Sequence, residues 1–350
     1  MRKTYDLVSF GDAMVGMVAS DHTRLDQADS LKLAMAGAEL NVAANVSALG
    51  YKTAWVSKLV DVWSGHFIKF RGQGRGVDFS HVKFVPFDGK GTVRNSLCFI
   101  ELGIGPRPSK QVYDRGYSPL SFVQPGDFDW NDILGQTRWF HTTGIAAALS
   151  ENIANEIITS LKTARQLHVK TSFDLNYRST LWDVASARKV MLQIIPYVDV
   201  LIGNEEDFEK MLGIKAEGST AGYSKIDPNS YQGVALKATE MYPNLEVVAT
   251  TLRDAKTGLL NDWQTVMLYR GTYYISQKYN NLEIQDRTGG GDSFASAIIT
   301  GMLEDLDPDY IINFSAAYSA LCHGFNGDWN WATRAEAEQV MKGANARVIR

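Results

Sequence analysis

The chain has 350 residues, 45% of them hydrophobic and 21% charged, which is too apolar for a disordered chain and enough for a sizeable core. The formal net charge is −4, from 35 Lys+Arg against 39 Asp+Glu. It comes with no acidic or basic tail, so composition points to neither nucleic acid nor an anionic membrane as partner. Two cysteines, Cys98 and Cys322, are too few for a disulfide framework or a Cys-rich metal cluster. That usage fits a reducing, cytoplasmic compartment. No uninterrupted apolar run approaches the ~20 residues that span a bilayer, and Asp6 and Asp12 interrupt what would be a signal peptide's apolar stretch.

In chain order, a buried first strand is predicted from Tyr5 to Phe10, ending at Gly11-Asp12. Short β-rich runs follow: TAWVSKL, RWFHTTG, VKTSFDLN, VDVLIG and EVVATTL. Between them lie helical stretches at 150–167, 184–196 and 229–242, and after Asp286 three more at 290–303, 308–323 and 333–343. Strands alternating with helices imply a mostly parallel sheet covered on both faces. Residues 80–122 break the rhythm with the extended segments VKFVPF, TVRNSLCFIEL and KQVYDRG. They predict a small antiparallel flap inserted into a single domain. One strand of that flap carries Val93, Leu97 and Phe99 on one parity and Cys98 and Ile100 on the other. Apolar on both faces, it predicts that flaps pair into a homodimer. Small and polar residues end the predicted strands at Gly11-Asp12, Thr142-Thr143-Gly144, Asp174-Leu175-Asn176, Gly203-Asn204 and Thr250-Thr251. In an open parallel sheet that edge is where ligands bind.

The sharpest motif is Asp286-Arg287-Thr288-Gly289-Gly290-Gly291-Asp292, running directly into the helical pattern SFASAIITGML. Glycines opening a helix leave backbone N–H groups free for a phosphate, aided by the helix dipole. A carboxylate in the first turn, Asp292, is placed to accept a hydroxyl proton. Donors for a moving phosphoryl group beside a base for an alcohol are what phosphoryl transfer needs. Alone, the string is equally a glycine turn whose aspartate compensates charge. No Walker A pattern and no strand-linked GxGxxG fingerprint is present, which argues against a dinucleotide-dependent dehydrogenase.

A second string, AGAELNVAANVSALG at 36–50, runs from a glycine turn into a helix with Val42, Val46 and Leu49 on one stripe. The two motifs together, Gly37 through Gly50 and Asp286 through Asp292, resemble the two signatures of the ribokinase-type (PfkB) carbohydrate kinases. The resemblance covers essentially the whole chain. It implies a ribokinase-like α/β three-layer sandwich with a mostly parallel central sheet, and it makes the segment at about 80–122 the main part of a β-lid. It also implies an ATP-dependent kinase in which Asp292 is the base and Gly289, Gly290 and Gly291 form the anion hole.

The family's Asn-x-x-Glu motif, which organises Mg²⁺ and phosphates through water, is matched by Asn204-Glu205-Glu206-Asp207, with Asp207 in place of the final Glu and Glu206 as its possible substitute. An equally good local reading has Asn204 and Asp207 capping the next helix. Ala36 stands where many relatives have the first glycine of a pair. The resemblance places Asn176, Asn204, Thr251, Arg253, Gly289 and Gly291 at the nucleotide, and Asp12, Gly37, Asn41 and Ile145 around the sugar. PSKQVYDRG, with Tyr113 and Arg115, and DLNYRSTLW, with Arg178, resemble the substrate segments of 2-keto-3-deoxygluconate kinases. A sugar carboxylate calls for a guanidinium fork, whereas a neutral sugar does not. The expectation is therefore phosphorylation of 2-keto-3-deoxygluconate. A kinase of a neutral sugar such as fructose or ribose is the alternative, and a non-catalytic sugar-binding relative a third. His141 and His323 carry no ligand spacing and read as packed.

Overall fold

The computed structural model describes residues 3–215 and 227–343. The described residues form fifteen strands: β1 (Tyr5–Phe10), β2 (Met14–Ala19), β3 (Leu31–Ala36), β4 (Thr53–Val60), β5 (Val77–Asp78), β6 (Val82–Val85), β7 (Ser96–Glu101), β8 (Lys110–Asp114), β9 (Thr137–Thr143), β10 (Lys170–Asp174), β11 (Val200–Ile202), β12 (Val247–Ala255), β13 (Leu260–Tyr269), β14 (Thr272–Ile275) and β15 (Tyr279–Glu283). Eleven of them form one sheet, ordered β14-β13-β12-β11-β10-β9-β1-β4-β5, with β15 on β13 and β6 on β4. From β12 through β4 every neighbouring pair is parallel.

Alternating side chains explain the layers. Val8, Phe10, Phe140, Phe173, Leu201 and Val248 point to one face, where they pack with Ile153, Ile157 and Leu161, Met191 and Ile194, and Val234 and Ala238. Those residues come from the helices Glu151–Gln166, Val184–Ile194 and Ser230–Met241. Leu7, Trp139, Val200, Ile202 and Val247 point to the other face and meet Phe294, Ile298 and Ile312, and also Val42 and Val46. These belong to the helices Gly290–Leu303, Pro308–Cys322 and Ala38–Ala48. A sheet with helices on both faces buries both rows of every central strand, which is why those strands read as apolar runs. No helix among the described residues is long and apolar enough to cross a membrane.

A second sheet of four strands, ordered β3-β2-β7-β8, lies apart from the first. Here the structure corrects the flap expected at about 80–122. Half of the small sheet comes from residues 14–36, because β2 pairs with β3 and then, in parallel, with β7. The segment VKFVPF instead extends the large sheet, β6 pairing with β4. The small sheet is therefore mixed rather than purely antiparallel. Its two-faced apolar strand is also resolved. Cys98 and Ile100 are buried with Met14 and Ala36 on the inner face, whereas Leu97 packs toward Val15 and Met35 on the other. Val93 lies outside the strand. Thr250-Thr251 is not a strand end either, since β12 continues to Ala255 and turns into an antiparallel pair with β13.

Candidate active site

The carboxyl ends of β1, β10 and β11, the inner face of the small sheet and the start of the helix Gly290–Leu303 enclose a cavity of about 710 Å³. Every residue given a catalytic, substrate, nucleotide or metal role from the sequence lines it: Asp12, Gly37, Asn41, Tyr113, Arg115, Ile145, Asn176, Arg178, Asn204, Glu206, Asp207, Thr251, Arg253, Gly289, Gly290, Gly291 and Asp292.

Two glycines are there for geometric reasons. Gly37 has φ +152°, and a Cβ on it would fall 2.8 Å from the Asp12 carbonyl oxygen, so this turn lets the helix Ala38–Ala48 start against the end of β1. Gly289 has φ +73°, and a Cβ there would lie 2.0 Å from the Asp328 carbonyl oxygen. Gly290 backs onto the His323 ring, while nothing lies within 4 Å of the Cβ direction of Gly291. The first N–H of this helix to find an intrahelical acceptor is that of Ser293, which donates to the Gly289 carbonyl at 2.8 Å. The preceding N–H groups are thus available to an anion, at the positive end of the helix.

Asp292 sits in this first turn. The Asn41 side-chain amide donates to its Oδ2 at 2.7 Å and also to Asp328 Oδ2 at 3.1 Å. Burial raises Asp292 to about 6, against the Asn41 hydrogen bond and the Arg178 charge, which both lower it. Burial, with Asp292 and Asp286 nearby, raises Asp328 to about 7. Asp174 is pushed well up by burial and by the Asp207 and Asp292 charges. Asp12 accepts the Ser96 hydroxyl at 2.7 Å and is raised by burial to about 6. A base must be ionised to take a proton. If Asp292 acts as one, kcat/KM should fall about tenfold per pH unit below about pH 6 and level off above it. A pH–rate profile at constant ionic strength measures this, and a limb at or below pH 4.5 would contradict the environment described.

Asp207 is spent on backbone. Its Oδ2 accepts the Asn204 N–H at 2.9 Å and its Oδ1 the Tyr177 N–H at 2.8 Å, while the Asn204 side chain accepts the Asp207 N–H. This reciprocal cap holds Asn204 in place and ties it to the turn carrying Asn176 and Arg178. Glu206, by contrast, is exposed to the cavity. Arg178 donates from Nη1 to the Tyr177 carbonyl at 3.1 Å. The Arg115 guanidinium lies 4.4 Å over the Tyr113 ring, and its Nε is buried without a partner. Neither arginine has an ion pair among the described residues. His323 is held neutral by burial, about 4, with its ring edge-on to Trp263 at 4.6 Å, and His141 is lowered to about 3 inside the sheet. Both are packing residues.

Asp174, Arg287 and Asp328 are among the cavity residues to which sequence reasoning gave no role. Asp174 stood at a recognised strand end, which was signal enough to nominate it. Arg287 lay inside the quoted motif without a role. Asp328 had no local signal, since its place depends on the turn that lays it against Gly289 and Asn41.

The family model for pfkB family carbohydrate kinases matches residues 4–328. The chain belongs to this family. It is similar to 2-dehydro-3-deoxygalactonokinase of Haloferax volcanii, with 30% identity over 99% of this chain and 100% of that protein. It is also similar to 2-dehydro-3-deoxygluconokinase of Thermoproteus tenax, with 27% identity over 96% of this chain and 94% of the relative. Among solved structures, 2-dehydro-3-deoxygluconokinase of Thermotoga maritima superposes with a TM-score of 0.90 at 37% identity, covering 96% of this chain and 99% of that one. This pfkB kinase has a ribokinase-like fold.

Proposed function

We propose that this carbohydrate kinase uses ATP to phosphorylate the terminal hydroxyl of a 2-dehydro-3-deoxy sugar acid, with 2-dehydro-3-deoxygluconate as the substrate. The observation that carries it is the pair of guanidinium groups, Arg115 and Arg178, that line the cavity together with Asp292 and form no salt bridge among the described residues. Their charges offset nearby buried carboxyls, Asp12 for Arg115 and Asp174 and Asp292 for Arg178, but neither guanidinium fork is engaged by a carboxylate, and a planar fork matches that of a sugar acid. The names of the similar proteins point to the same class of substrate.

In this reading the sugar hydroxyl gives its proton to Asp292 as its oxygen attacks the donor's terminal phosphorus. The free N–H groups at Gly290 and Gly291 take up charge on the phosphoryl oxygens. Mg²⁺ would shield the donor phosphates. Among the described residues no three His, Cys, Asp or Glu side chains gather to hold a metal. That suits an ion bound mainly by phosphates and water, with Glu206 the carboxylate to face it. The small sheet, which brings Tyr113 and Arg115 to the sugar, acts as the lid.

ATP turnover across a panel of sugar acids and neutral sugars tests the reading. The panel includes 2-dehydro-3-deoxygalactonate, the epimer named in one relative. Preference for fructose or ribose over every sugar acid would overturn it. Preference for the galactonate epimer would keep the class and change the substrate.

We further propose a homodimer through the outer face of the small sheet. Leu33, Met17, Phe99 and Val112 form one apolar row by register, with Leu33 44% and Val112 43% exposed. Such a row across a sheet is costly in water. Light scattering should give a dimer mass at micromolar concentration, and Leu33→Asp with Val112→Asp should give a monomer. A monomeric wild type would refute the dimer.

A further inference from the structure

Arg287 is held at the mouth of the glycine loop by its neighbours. The Asp286 carboxylate accepts the Thr288 N–H at 3.0 Å, the Thr288 hydroxyl at 2.8 Å and, across the fold, the Gly327 N–H at 3.0 Å. With Asp286 consumed in this way, Arg287 is carried on a stapled turn just before Gly289, and its side chain lines the cavity. Arg253, from β12, lines the same cavity. The two are near enough to oppose each other: burial first, and then the Arg287 charge, lower Arg253 to about 10. Arg253 is exposed and faces the cavity. Neither has an ion pair among the described residues.

These arginines stand on other elements, Arg253 on β12 and Arg287 just before Gly289, than Arg115 and Arg178, which follow β8 and β10. The latter act on Asp12, Glu39, Asp174, Asp207 and Asp292, whereas Arg253 acts on His323, which backs Gly290. Two like charges held together without a counterion are unfavourable until an anion of high charge arrives.

Building on the kinase reading above, in which Arg253 already stands at the nucleotide, we propose that Arg287, beside the glycine loop, contacts the terminal phosphoryl group of the donor as it is transferred, completing a clamp with Arg253. In that step the sugar oxygen forms the new bond to phosphorus. The bond from phosphorus to the bridging oxygen breaks, and its electron pair leaves with the nucleoside diphosphate. The hydroxyl proton goes to Asp292. Charge on the phosphoryl and bridging oxygens is what a guanidinium stabilises, and arginines so placed are worth about 10³–10⁵ in rate in other phosphoryl-transfer sites.

The test compares Arg287→Gln, Arg287→Lys and Arg253→Gln with the wild type, by turnover and by calorimetric binding of ADP and the non-hydrolysable analogue AMP-PNP with Mg²⁺. Arg287→Gln should lower kcat by about 100-fold or more and weaken AMP-PNP about tenfold. Affinity for ADP and the KM for the sugar should stay within about threefold. Arg287→Lys should recover part of the rate, and Arg253→Gln should weaken both nucleotides about tenfold. Turnover of Arg287→Gln within about threefold of wild type, or equal loss of ADP and AMP-PNP, would overturn the assignment. Because the binding arms need no turnover, a wrong sugar leaves them informative: failure of the sugar panel and failure of the clamp are separate results.

Discussion

Asp292→Asn should lose about 10²–10⁴-fold in kcat, the usual loss when a general base is removed. The substitution keeps the shape of the side chain and leaves the helix start intact, so binding of sugar and nucleotide should change little. Asn41 donates to Asp292 Oδ2, and an amide in place of the carboxylate can still offer its oxygen to that donor. The effect should therefore fall on kcat rather than on KM. Steady-state kinetics with unchanged sugar affinity by calorimetry would support the assignment. Near-normal turnover would transfer the role of base to another carboxyl, and Asp174 or Asp328 would be next in line.

Arg178→Leu should lower kcat/KM for 2-dehydro-3-deoxygluconate by about 30-fold to several thousand-fold. Removing one partner of a desolvated charge pair costs roughly 2–5 kcal/mol, much of it from the charge left alone. Arg178 hangs on a turn tied down by Asp207, so losing its side chain should leave the turn in place. Any activity on a neutral ketose should fall far less, because no carboxylate is stranded. Running both substrates with both enzymes separates carboxylate recognition from structural damage. Equal losses would mean that Arg178 serves the fold, or the neighbouring Asp174 and Asp292, whose charges it offsets.

Much of the site was legible before any tertiary contact was known. Asp292 and the three glycines lie within a few residues of one another, and a glycine turn running into an apolar helix can be recognised locally. The strand ends at Asp12, Asn176 and Asn204 could be found because a short apolar run that stops at a small polar residue marks the carboxyl edge of a parallel strand. The Asn204 and Asp207 cap was readable for the same reason, three residues apart on one turn. The extent of the small sheet was not, because β2, the partner of β3, joins β7 in parallel across 82 residues of chain (Met14 beside Ser96), and no turn announces that pairing.

By itself, then, the sequence determined the α/β alternation, the three closing helices, the phosphoryl-transfer motif and the candidate arginines. The alternation, the helices and the glycine turn of the motif are written in local periodicity, capping and turn chemistry, whereas the arginines and the motif's role came from the resemblance to the family. Only the tertiary structure decided which strands cover the cavity, that Asp174 and Asp328 line it with Asp292, and that the four arginines lining it form no salt bridge among the described residues. Asn41 meets Asp292 and Asp328 across 251 and 287 residues of chain. Contacts of that range, and the burial that raises the carboxyl pKa values, arise from packing the whole domain. No window along the chain contains them.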